Sequence, residues 1–119
     1  RQGTAPAKIV EAGTVAIDLT KDTAGDPSGF PAGARIALVN LTVTQTEGPG
    51  FVQLFATGTP VADVQTSNIN WFVDETTIAN SSGVPVDSTG SITARVGSST
   101  TDTTTARTHI IVDLVGYYL

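Results

Sequence analysis

Across residues 35–46 the side chains alternate in polarity, with Ala37, Val39, Leu41 and Val43 on one side and Asn40, Thr42 and Thr44 on the other. A period of two marks a strand with one buried face, because successive Cβ atoms leave a pleated backbone on opposite sides. Only the start of this run, with Ile36 and Leu38, is apolar on both faces. Val15, Ile17 and Leu19 alternate with Ala16, Asp18 and Thr20 in the same way. No segment keeps apolar residues at helical spacing over three turns, so essentially no α-helix is expected.

Further short apolar or β-branched runs occupy residues 51–56, 67–72, 76–80, 84–86, 91–96 and 108–118. Between them lie Gly58 to Pro60, Ser81-Ser82-Gly83, Asp87-Ser88-Thr89-Gly90 and a threonine run at 100–105. About seven to nine short antiparallel strands follow, and with them an all-β domain, a β-sandwich or flattened barrel. Residues 35–46 and 108–118, the most apolar runs, are expected to be its central strands. Residues 21–33, rich in Gly, Pro and Asp, read as a loop. Glu47-Gly48-Pro49-Gly50 predicts a turn that returns residues 51–56 as the hairpin partner of residues 35–46. Residues 98–105, hydroxyl-rich and without an apolar anchor, are expected to form an exposed, mobile hairpin loop.

The 119 residues suit one domain, with residues 1–10 as an extended N-terminal segment. Charged residues make up 14%, and twenty threonines and eight serines supply most of the polarity. That is well below the roughly 25% charged content of an average soluble domain. Thr, Val and Ile branch at Cβ and suit a half-buried strand. A net charge of -5 with six Lys plus Arg offers no footprint for phosphate backbones or anionic lipid, so no nucleic acid partner is expected. No apolar run approaches the roughly 18 residues of a membrane span, and residues 110–119 are broken by Asp113 and Gly116, so no membrane insertion is expected. The chain begins at Arg1 with neither an initiator Met nor a signal segment, as a processed product or a fragment would.

Catalytic ingredients are sparse. There is one His, no Cys and no Ser in a nucleophile-elbow context. His109 and Asp113 are four residues apart on one predicted strand, about 13 Å, too far for an acid–base dyad. The expectation is a non-enzyme without metal or cofactor. Asp113 is expected to be buried, accepting hydrogen bonds beside the core. Asp18, Asp22 and Asp26 crowd one strand end and loop, but their spacing lacks the EF-hand pattern, and they read as solvated carboxylates. Asn40, Asn68, Asn70 and Asn80, with His109, read as structural polar residues that bridge turns and strands. Asn40-Leu41-Thr42 and Asn80-Ser81-Ser82 fit the glycosylation sequon, which three residues alone make a weak sign. Trp71, Phe72, Tyr117 and Tyr118 would offer a glycan contact if exposed together, although Trp71 reads first as core.

In order along the chain, Phe30-Pro31-Ala32-Gly33-Ala34, Val39-Asn40-Leu41-Thr42-Val43-Thr44, Gly50-Phe51-Val52, Ser67-Asn68-Ile69-Asn70-Trp71, Ala79-Asn80, Pro85-Val86-Asp87 and residues 109–118 (HIIVDLVGYY) carry a resemblance. Over about nine tenths of its length the chain resembles the secreted and cell-surface β-domains abundant in actinobacteria and neighbouring phyla. The resemblance implies an extracellular, modular domain with an accessory, adhesive or structural role and no catalytic activity. The expected partners are copies of itself or other surface proteins. A polysaccharide is the alternative, for a carbohydrate-binding module of a wall-directed enzyme. A bacteriophage virion decoration protein is a third class. Members of the family open with an apolar strand ending in a Leu-Asp-Thr-Arg-like motif, of which only Arg1 stands here. Either that strand is omitted or shortened, or the sheet edge it would cover is completed between chains, with residues 2–10 donated to a neighbour.

Overall fold

The computed structural model describes residues 3–4, 7–98 and 105–119. Nine strands occur among them: β1 (Gly3–Thr4), β2 (Ile9–Val10), β3 (Thr14–Asp18), β4 (Ile36–Glu47), β5 (Gly50–Ala56), β6 (Ile69–Trp71), β7 (Ile78–Pro85), β8 (Ser91–Gly97) and β9 (Arg107–Tyr118). The one helical element among the described residues is a 3₁₀ turn at Val61–Asp63. No helix there is long and apolar enough to cross a membrane.

The strands form two antiparallel sheets. The first runs β1-β9-β4-β7, with β2 sharing the β1 side of β9, and the second runs β3-β8-β5-β6. The alternation of β4 is realised: Ala37, Val39, Leu41 and Val43 are fully buried. They face Val52 and Leu54 of β5 and Ile92, Ala94 and Val96 of β8 in one core, joined by Ile110 and Val112 of β9. Leu19, Phe30 and Trp71 belong to the same cluster. As expected, β4 and β9 are the central strands of their sheet, paired with each other along most of their lengths.

Two expectations need correction. β4 and β5 are not a hairpin: β4 pairs with β7 and β9, while β5 pairs with β6 and β8. The turn at residues 47–50 carries the chain from one sheet to the other. Gln45 and Gly48 have φ of 52° and 67°, and the ladder slips between Thr44 and Glu47. This bulge turns β5 across the sandwich, so that its apolar face meets that of β4 instead of lying beside it.

Ser81-Ser82-Gly83 is not a turn. It lies within β7, paired with Asn40, Val39 and Leu38 of β4. The long ladder of β4 outweighs local turn composition on this edge strand. The N-terminal segment lies along β9 of its own chain. Gly3–Thr4 pairs with Val112 and Ile111, and Ile9–Val10 with Thr108 and Arg107, all of the same chain. Ile9 is buried in the core, and the Lys8 ammonium lies 3.0 Å from the Glu47 carboxylate, which fastens the segment in place. The loop expected at residues 98–105 lies, but for its ends, outside the described residues.

Candidate functional site

The two sheets differ on their outer faces. On the second sheet the segment at residues 57–68 covers the outward side of β5. There Gln53 donates to the Val64 carbonyl at 3.3 Å and accepts from Arg95 at 3.3 Å, and Phe55 is buried.

On the first sheet the outward residues of β9, β4 and β7 are exposed or half-exposed and fall into rows. Tyr118, Ile36 and Pro85 form one row, and Gly116, Leu38 and Gly83 the next. Asp113, Asn40 and Ser81 follow, then Ile111, Thr42 and Ala79. His109 lies opposite Thr44, whose hydroxyl is 2.7 Å from that of Thr77.

The face therefore grades from an apolar end to an amide- and hydroxyl-rich one. Leu38 occupies the space its two glycine neighbours leave. A Cβ on Gly116 would come within 3.2 Å of Leu38 Cδ1, and one on Gly83 within 3.6 Å of Cδ2. The result is a continuous apolar surface over the two glycines.

A second bulge aims the tyrosines. Leu38 pairs with Gly116 and Val39 with Leu114, leaving Val115 as the extra residue. Beyond it the inward and outward parity of β9 is exchanged. Tyr117 turns in, its ring edge-on to Phe30 with centroids 6.0 Å apart, while Tyr118 joins the outer face at 59% exposure.

Of the residues singled out by sequence, Asn40, His109, Asp113 and Tyr118 thus share one face. Asp113 is half-buried there rather than buried. Asn68, Asn70 and Asn80 are elsewhere: Asn68 accepts from the Leu54 N–H at 2.8 Å, Asn80 donates to the Asn68 carbonyl at 3.0 Å, and Asn70 accepts from Ser67 at 3.1 Å.

Trp71 is not available to a glycan. It is 1% exposed, and its indole N–H donates to the Glu47 carbonyl at 3.3 Å. Phe72 is 78% exposed, but it follows β6 at the end where β4 finishes, whereas Tyr118 lies where β4 begins. At about 3.3 Å per residue, the 12 residues of β4 separate them by roughly 35 Å. The exposed aromatics do not form a strip.

Ile36, Leu38, Pro85, Gly83 and Gly116 were missed by sequence reasoning as parts of this face. Its one sequence signal is the doubly apolar start of β4.

The loop carboxylates act as turn acceptors. Asp87 Oδ1 takes hydrogen bonds from the Ser91 N–H at 2.8 Å and from the Thr89 hydroxyl and N–H at 2.8 and 3.0 Å, which hold its carboxyl below the usual aspartate range. The Thr20 hydroxyl and N–H do the same for Asp18. Asp22 accepts from the N–H groups of Ala24 and Asp26. No group of three His, Cys, Asp or Glu side chains gathers as metal ligands would among the described residues. No family model, curated protein or solved structure matches the chain.

Proposed function

We propose that this chain is a structural or adhesive β-module of an extracellular surface assembly, and that its copies pack through the outer face of the β9-β4-β7 sheet. The observation that carries this reading is the apolar pair of rows, Tyr118, Ile36 and Pro85 and then Leu38 between its two glycines, beside the amide and hydroxyl rows. An extended sheet face of low charge suits a broad, shape-matched contact, whose core is typically apolar and whose rim is polar. A glycan site would favour aromatic rings converging in one place, and here Trp71 is buried while Phe72 and Tyr118 lie far apart. The extracellular setting rests on the sequence resemblance and on the hydroxyl-rich, weakly charged composition.

The test is sedimentation of the full chain over a wide concentration range, beside an Ile36→Glu/Tyr118→Glu variant. Both positions are exposed, so the variant keeps its fold by circular dichroism. The expected result is reversible association of the natural chain that the variant loses. A chain that stays monomeric at every concentration would overturn the proposal.

A further inference from the structure

We infer that two copies of this chain pair edge to edge through β7, antiparallel about a twofold axis at Ser81, so that their β9-β4-β7 sheets become one. The inference rests on the reading that the module self-assembles, and it adds a contact within the plane of the sheet.

The register of β7 fixes what its free edge offers. The Val86 N–H donates to the Arg35 carbonyl at 3.1 Å, one rung beyond the Ile36 and Pro85 pair. Bonded and non-bonded pairs alternate along an antiparallel ladder, so Val84, Ser82, Asn80 and Ile78 bond to β4. Ala79, Ser81 and Gly83 therefore turn their N–H and C=O groups the other way. Pro85 agrees with this parity: it has no N–H and needs none, because its nitrogen faces away from β4. β7 pairs with no strand but β4, and no backbone bond from elsewhere in the described residues reaches those three. All three are exposed.

Among the described residues β7 is the least protected sheet edge. β1 and β2 have two residues each, β6 has three, and β3, with five, ends on Asp18. β7 has eight, carries no charged side chain, and keeps an unbroken register with β4. Edges are ordinarily blunted by Lys, Pro, bulges or brevity, and here only Pro85 at the end of the strand serves.

The pattern selects a second copy as the occupant. With Ser81 opposite Ser81 of the other copy, Ala79 falls opposite Gly83, and each outward N–H of the three residues meets an outward carbonyl. Near a twofold axis every charge meets its own likeness, and like charges directly opposite destabilise a sheet. A strand without charge avoids this in a chain of net charge -5. On the core side Ile78, 38% exposed, comes opposite Val84 of the other copy in a non-bonded pair, where side chains approach most closely. A foreign peptide added to an edge takes its specificity from pockets for alternate side chains, and Ala79, Ser81 and Gly83 are too small to frame any.

The contact is isologous and closes at two copies. Directly opposed residues share a face of the sheet, so both outer faces look the same way and their apolar rows belong to one wider surface. Three outward residues per copy make a short contact that packing through this surface reinforces, and covalent capture is its readout.

The chain has no cysteine, so one introduced at the axis reports on it. Opposed residues of a bonded pair have Cα atoms about 5.5 Å apart, within disulfide reach. Ser81→Cys in the full chain should therefore cross-link to dimer under mild oxidation at least tenfold faster than Ala79→Cys, whose own counterpart lies roughly 13 Å further along the strand. Adding Ala79→Pro to Ser81→Cys takes away an outward N–H and none that β4 uses. It should leave the circular dichroism melt in place and bring the rate down to that of Ala79→Cys. A Ser81→Cys chain that cross-links no faster than Ala79→Cys would overturn the edge contact. If the natural chain then still associates and loses this with Ile36→Glu/Tyr118→Glu, the assembly reading stands without it. If the Ser81→Cys preference holds while the natural chain sediments as a monomer at every concentration, the edge contact stands and the face packing falls.

Discussion

The side-chain oxygen of Asn68 accepts the backbone N–H of Leu54 at 2.8 Å, one rung beyond the point where β6 stops pairing with β5. The Asn68 N–H meanwhile donates to Val52, so a single residue closes the end of this ladder. Asn80 of β7 donates to the Asn68 carbonyl and ties the two sheets at the same place. Asn68→Ala leaves the Leu54 N–H without its partner beside the core and should cost about 1–3 kcal/mol in urea unfolding. Asn80→Ala, at an exposed position, should cost clearly less. Equal losses would mean that the bond to Leu54 is not the one that matters.

Gly50 and Gly97 differ in what surrounds them. A Cβ on Gly50 would come within 2.6 Å of Trp71 and 2.8 Å of Ala106, both buried. A Cβ on Gly97 would strike the outer edge of the Phe51 ring, which is only half-buried and can swing away. Gly50→Ala is therefore expected to destabilise by about 1–3 kcal/mol, as overpacking does. Gly97→Ala should cost less, and thermal melts of the two variants compare them directly.

Trp71 is the single tryptophan and lies against the turn between the sheets. Its emission should be blue-shifted and poorly quenched by acrylamide in the folded chain, and unaltered by soluble polysaccharide. Trp71→Ala should cost about 3–5 kcal/mol. Strong quenching in the native state would place the indole at the surface and reopen the glycan reading.

The sequence made the strands legible wherever one face is buried and the other wet, as in β3, β4 and β8. It misread the connection at residues 47–50, because the same turn residues and flanking alternation suit a hairpin and a sheet-to-sheet crossing alike. The difference lies in positive φ at Gln45 and in which strands compete for β4. Ser81-Ser82-Gly83 misled for a related reason: its composition favours a turn, but β4 offers a long partner and Leu38 fills the space above Gly83. The candidate face was the least legible part. Its rows join residues from β9, β4 and β7, and the bulge at Val115, which decides that Tyr118 rather than Tyr117 faces outward, is set by pairing register. Only Ile36 and Leu38, apolar where alternation called for polar residues, pointed to it.

Asp87 supplies a pH dependence whose sign follows from its turn. Hydrogen bonds from Ser91 and Thr89 lower its folded-state pKa, so the unfolded chain binds its proton more readily. The stabilisation is complete above the ordinary aspartate pKa of about 3.9 and is lost as pH falls through the lower folded value. Asp87→Asn should therefore melt below the natural chain at pH 7, with the gap narrowing below pH ~4. A gap that stayed constant to pH ~2 would show that the charge is not what the turn uses.

The N-terminal segment is expected to act on stability first. Ile9 is 8% exposed within the core, β2 pairs with Thr108 and Arg107, and Lys8 meets Glu47 at the far end of β4. Ile9→Ala removes buried side-chain volume and should cost about 2–4 kcal/mol. Lys8→Ala breaks a partly exposed ion pair and should cost no more than about 1 kcal/mol. Deleting residues 1–10 removes both and also bares the β9 backbone where β1 and β2 pair, an unpaired edge that recruits other strands. The truncated chain should then melt lower and aggregate more readily than the full one. If it instead kept its melting temperature and only lost its assembly, the segment would belong to a neighbour's sheet rather than to its own, and hydrogen exchange at Ile111 and Val112 would be unchanged by the deletion in the monomer.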